Sequence, residues 1–145
     1  MRVGLCLVIW LALVGRAEAN PVDDDLVKLS QQTWSHWLCS TYAFTGRVGT
    51  EARERHRAAA LASGRQFLML AEDAGLMHTG RGNIRGDERI PIQMREKMFG
   101  ETHDFILGRI YDAAVSTAYV LISGTEKNWP DRARELYEES NCSLL

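Results

Sequence analysis

THDFILGRIYDAAVSTAYVLIS, residues 102–123, is the most apolar stretch beyond the N-terminal leader, and its spacing decides the fold class. Phe105, Ile106, Arg109, Ile110, Ala113, Ala114, Thr117, Val120 and Leu121 recur at intervals of three and four, the repeat of a helix with one buried side. Thr102 reads as its N-cap, Asp104 complements the positive end of the helix dipole, and Gly124 stops it. Such apolarity predicts a helix at the centre of a bundle. Gly108 within it predicts a closely crossing neighbour, so that Gly108→Leu would overpack.

The flanks read the same way. On the C-terminal side, Asn128 and Pro130 open a last helix through Ala133, Leu136 and Tyr137, with Pro in the first turn, where it is tolerated. On the N-terminal side, Ile92 to Met98 forms a short helix between Pro91 and Gly100. Gly75 to Ile90 carries Gly80, Gly82 and Gly86 among Arg81, Arg85 and Arg89 and has no helical repeat, which marks it as the longest loop. Before it, Thr50 is the expected N-cap of a helix reaching Ala74 and stopped by Gly75. Its inner face is Ala52, His56, Ala60, Leu61, Gly64, Phe67, Leu68 and Ala71; Ala60 and Gly64, four apart, predict a close crossing. The first helix starts at Asp23, Asp24 and Asp25, carries Leu26, Leu29, Thr33 and Trp37 on one face with Trp34, Leu38 and Tyr42 beside them, and ends at Gly46 and Gly49. No alternating strand pattern appears. The expectation is an all-α protein, a four- to five-helix bundle.

Residues 1–19 read as a signal peptide: Arg2, an apolar run from Val3 to Gly15, and Ala17-Glu18-Ala19 as the cleavage signal before Asn20. The run is about 13 residues, against the roughly 20 a spanning helix needs. Leu5 before Cys6 argues against a lipid anchor there. Residues 20–145 then form a single helical domain, exported to the periplasm or the medium. Cleavage removes Cys6 and leaves Cys39 and Cys142, which in an oxidising compartment are expected to pair; two buried thiols are the alternative. A loop of about 100 residues closed in this way stabilises by about 4 to 5 kcal/mol in the chain-entropy model. Two isolated cysteines lack the paired spacing of a zinc site.

The whole chain has a net charge of −2, and the mature part, without Arg2, Arg16 and Glu18, is slightly more acidic. An acidic domain has no electrostatic case for nucleic acid. No metal or cofactor motif is present, and His36, His56, His78 and His103 are not spaced as ligands on one turn, although folding could gather them. His56, on the small-residue face, is expected to be a hydrogen-bonded packing residue. The densest polar group is Glu101, Thr102, His103 and Asp104 with Arg109. His103 and Asp104 are candidate catalytic residues, an acid–base pair at a helix start, with Arg109 to bind an anion. The plainer reading makes them a cap, a dipole partner and a surface pairing of Arg109 with Asp112 or Asp104. Gly80 to Gly86 lacks the phosphate-loop spacing and reads as a solvated loop that can contact a partner. Arg85-Gly86-Asp87 and Asn141-Cys142-Ser143 match an integrin-type tripeptide and a glycosylation acceptor, both common by chance. Trp34, Trp37, Tyr42 and Phe44 form an aromatic stripe expected in the core; an exposed Trp there would be an anchor for a protein partner.

Phe99-Gly100-Glu101-Thr102-His103-Asp104-Phe105-Ile106-Leu107-Gly108-Arg109-Ile110, with Cys39 in an early helix and Asn141-Cys142 near the end, resembles small exported bacterial helical proteins of unassigned function. That resemblance implies a periplasmic or secreted location and a helical fold, and it implies no activity. The layout is also similar to disulfide-bearing helical immunity proteins that block secreted cell-wall amidases. The expected function is an exported, non-enzymatic binding or accessory protein with another exported protein as partner. The alternatives are an immunity or inhibitor protein against a secreted cell-wall enzyme, and a small hydrolase or ligand-binding protein centred on His103, Asp104 and Arg109.

Overall fold

The computed structural model describes residues 22–77 and 87–145. Among them are five α-helices and no strand: α1 (Asp24–Thr45), α2 (Thr50–Asp73), α3 (Ile92–Arg95), α4 (His103–Ser123) and α5 (Trp129–Glu139), followed by a 3₁₀ turn (Cys142–Leu144). The expected signal peptide (residues 1–19), His78 and the Gly80–Gly86 segment lie outside the described residues.

The helix ends follow local chemistry. The Asp23 carboxylate accepts the Asp25 N–H at 3.0 Å, the Thr102 hydroxyl accepts the Phe105 N–H at 3.2 Å, and the Asn128 side chain accepts the Asp131 N–H at 3.0 Å. These side chains satisfy donors that a helix start leaves unpaired. The N-cap of α2 is Gly49, with Thr50 one position inside, because Gly49 turns at φ +150°, where a side chain would be strained. Gly75, at φ +70°, ends α2 and lets the Leu76 N–H reach back to the Ala71 carbonyl at 2.8 Å. The short helix stops at Arg95, one turn after it begins, rather than running to Met98.

The most buried rod is α1, with ten buried residues against six in α4, although α4 packs against α1, α2, α3 and α5. That corrects the expectation for α4. By length and composition α4 is apolar enough to cross a membrane, yet it buries only the stripe Ile106, Leu107, Ile110, Ala114, Ala118 and Ile122. Phe105, Tyr111, Val120 and Leu121 are exposed. Apolarity measured how few polar side chains α4 carries, not how much of its surface is buried.

Two apolar clusters make the core. The larger joins Leu26, Val27 and Trp37 of α1 to Ala60, Phe67, Leu68 and Ala71 of α2 and to Ile106, Leu107 and Ile110 of α4, with Met94 and Met98 below. The smaller joins Tyr42 and Ala43 to Ala118, Ile122, Ala133, Leu136 and Tyr137. The Cys39–Cys142 disulfide is buried within it and ties the middle of α1 to the C-terminal turn. Gly64 sits at a close three-helix approach: a Cβ there would meet Leu107 Cδ2 of α4 at 2.5 Å and Thr33 Cγ2 of α1 at 3.1 Å. At Gly46 a Cβ would meet the backbone N of Arg134 at 2.9 Å, so α5 crosses the end of α1 in backbone contact. Gly108 is the opposite case. A Cβ there would meet nothing within 4 Å, and the predicted close crossing is absent at that position.

Candidate functional site

Three helical stripes converge on one groove. Trp37, Ser40, Thr41 and Phe44 lie at i, i+3, i+4 and i+7 on α1; Arg53, Arg57 and Leu61 lie at four-residue steps on α2; Asp104, Leu107, Gly108, Tyr111, Val115 and Tyr119 follow the same repeat on α4. They enclose a cavity of about 470 Å³ open to solvent. Gly108 contributes to its depth, because no side chain rises from that point of the wall.

The walls are aromatic and cationic. Trp37 and Tyr111 meet across α1 and α4 with ring centroids 4.8 Å apart. The Arg53 guanidinium lies over the Phe44 ring, 4.6 Å from its centroid, which holds the charge at the groove edge. Among the described residues, Arg53 and Arg57 each make one long acidic contact, to Glu54 at 3.8 and 3.7 Å, on the half-exposed side of α2. The two hydroxyls are committed to backbone: Ser40 donates to the Arg53 carbonyl at 3.3 Å and Thr41 to the Trp37 carbonyl at 3.1 Å. Trp37 is only 3% exposed, and its indole N–H has no acceptor among the described residues. The aromatic stripe read from the sequence is thus divided: Trp37 and Tyr42 are buried, Trp34 is partly buried, and Phe44 is exposed at the groove.

His103, Asp104 and Arg109 go to three different partners. His103 Nε2 lies 3.0 Å from the Glu72 carboxylate at the end of α2. Asp104 faces Arg65 at 3.5 Å on the groove rim. Arg109 donates to the Phe99 carbonyl at 2.8 Å and stacks over the Phe99 ring at 4.5 Å, in place of the expected pairing with Asp112 or Asp104. Asp104 and Arg109 share a shallow depression with Phe105 on the outer side of α4, and His103 is not part of its lining.

A second polar arrangement lies outside the groove. His36 Nδ1 and His56 Nδ1 are 3.1 Å apart, and His56 Nε2 is 3.2 Å from the Tyr137 hydroxyl, which also accepts from Arg55 at 3.4 Å. His56 is fully buried, as a hydrogen-bonded packing residue. Burial holds its pKa down to about 4, helped by the neighbouring His36 and Arg55 and opposed by a hydrogen bond to the Cys142 backbone. Burial, then Arg55, also lowers His36. One imidazole therefore donates and the other accepts between the two rings, both neutral near pH 7.

Among the described residues, no group of three His, Cys, Asp or Glu side chains is placed to hold a metal ion. Of the tripeptide, Asp87 alone is described, and its carboxylate is held by Arg89 at 2.7 Å, which lowers its pKa. Arg89 also reaches Asp24 at 2.7 Å and the Val22 carbonyl at 3.0 Å, pinning the re-entering chain to the start of α1. Asn141 is exposed in a left-handed turn at φ 52°. The groove itself was missed in the sequence. Its one legible sign is the α4 series Asp104, Gly108, Tyr111, Val115, Tyr119, an edge too mixed to be core. Compared with known proteins, the chain matches no family model, no curated protein and no solved structure.

Proposed function

We propose that this chain is an exported, non-enzymatic helical binding protein whose partner is another exported protein, held in the groove between α1, α2 and α4. The observation that carries this reading is the groove's composition. Trp, Tyr and Arg side chains, the types that supply most binding energy at protein interfaces, are gathered around a concavity of about 470 Å³. The apolar leader with its small-residue cleavage signal and the buried disulfide support export, since disulfides persist in oxidising compartments. A pre-formed, covalently closed bundle also loses little conformational entropy on binding.

A photo-crosslinking amino acid at Phe44, on the groove, should yield a discrete protein adduct in the envelope or secreted fraction of the producing cell. The same probe at Val120, exposed on another part of α4, should not. Gly108→Leu, which fills the groove, should abolish the adduct. Equal labelling from both positions, or an adduct untouched by Gly108→Leu, would remove the groove from the reading. A cell-wall hydrolase in the adduct would narrow the function to an inhibitor or immunity protein.

A further inference from the structure

Two features of the groove specify what enters it. The first is charge. Arg53 and Arg57 stand one turn apart on the α2 wall, and Arg53 is held in place by the Phe44 ring. In a chain of net charge −2, two cations are concentrated on one wall. Their shared neighbour Glu54 stays at 3.7 to 3.8 Å, half-exposed, and is not part of the groove lining. The second is an apolar wall. Trp37, Leu61 and Tyr111 line the same groove beside the cations, and the neighbouring Ser40 and Thr41 hydroxyls already have backbone acceptors.

We infer that the groove binds an extended, acidic–apolar peptide segment of the partner, with carboxylates on Arg53 and Arg57 and an apolar side chain against Trp37, Leu61 and Tyr111. The spacing fits. Four helical residues rise about 6 Å, and alternate side chains of an extended peptide stand about 6.8 Å apart on one face. Two acids separated by one apolar residue therefore match two guanidiniums one turn apart. Asp104, in the first turn of α4, repels a carboxylate at its end of the groove and so gives the segment a direction.

This inference rests on the groove being the binding site, and the test separates the two. The probes are acetyl-Leu-Glu-Phe-Glu-Leu-amide, its Gln counterpart and its Lys counterpart, titrated into the disulfide-bonded protein by calorimetry and by NMR of the tryptophan indole N–H signals. The Glu peptide should bind at least about tenfold more tightly than the Gln peptide, and the Lys peptide more weakly still, as expected of charge pairing at a partly desolvated rim. Arg53→Gln with Arg57→Gln should bring the Glu and Gln peptides to within about twofold of each other, and Glu54→Gln should tighten the Glu peptide. The Trp37 indole N–H signal should move on binding, and Gly108→Leu should block binding. Equal affinity for the Glu and Gln peptides overturns the carboxylate assignment and leaves the groove standing. An unmoved Trp37 signal overturns the apolar contact with that ring. Binding that survives Gly108→Leu places the peptide elsewhere and overturns the inference. If no peptide binds, the inference fails, while the Phe44 crosslink still decides the groove.

Discussion

Gly64 and Gly108 are the same residue type in helix interiors, and the structure gives them opposite roles. At Gly64 a side chain runs into Leu107 and Thr33, so Gly64→Leu should destabilise by about 1 to 3 kcal/mol. At Gly108 the space is open, and Gly108→Ala should stabilise by roughly 0.5 to 1 kcal/mol through helix propensity alone. Chemical denaturation of the two variants side by side checks both signs. His56 makes a second residue-scale prediction. Its pKa is about 4 in the folded protein and near 6.5 in an unfolded chain, so between these values the unfolded state binds the extra proton. Stability is therefore complete above pH 6.5, falls as the pH drops from 6.5 towards 4, and levels off below 4 as far as His56 is concerned. At about 1.4 kcal/mol per unit the full loss is of order 3 kcal/mol. His36, also lowered, adds in the same direction. Urea denaturation between pH 4 and 7 should show this slope, and His56→Gln should flatten it; an unchanged slope would mean that His56 is not held neutral. The sequence showed His56 to be on an inward face. It did not show His36 as a partner, because the pair is 20 residues apart and meets only when α1 lies against α2.

Helices are where local sequence spoke most clearly. The ends at Asp23, Thr102, Asn128 and Gly75 follow from side chains or φ angles within three residues of the boundary. Removing a cap tests this directly: Thr102→Ala and Asn128→Ala should each cost about 1 kcal/mol, read as a lowered denaturation midpoint with helical signal nearly unchanged. Where the sequence misled, the cause was neighbourhood. The helix α4 is the most apolar rod but not the most buried one, because an apolar residue can sit at a groove edge or remain in solvent. Exposed Val120 and the groove-lining Tyr111 are such cases. Conversely α1, which carries the polar Ser30, Thr33, Ser40 and Thr41, is surrounded on several sides. It tolerates burial of those hydroxyls because each finds an acceptor; Ser30, for example, donates to the Val27 carbonyl at 2.6 Å.

At the scale of the whole molecule, one covalent bond spans 103 residues and joins α1 to the tail. Both cysteines are buried, so the bond should resist reductant until the protein opens. The Cys39→Ser/Cys142→Ser double variant should lose about 4 kcal/mol of stability by loop entropy. Thiol titration of the denatured wild type should find no free thiol at either position. The amino-acid sequence by itself determined the four longer helices, the caps at Asp23, Thr102 and Asn128, most of the inner face of α2 and the pairing of Cys39 with Cys142. The helices and caps depend on contacts within four residues, and the pairing was read from the two cysteines expected to remain after cleavage of residues 1–19. Only the tertiary structure decided which rod is most buried, which glycine is crowded, that His103, Asp104 and Arg109 take separate partners, and that Trp37, Arg53, Arg57 and Tyr111 share one groove. The physical reason is that a stripe's repeat says a helix has a side. What faces that side depends on how three helices pack together, and no one of them encodes it alone.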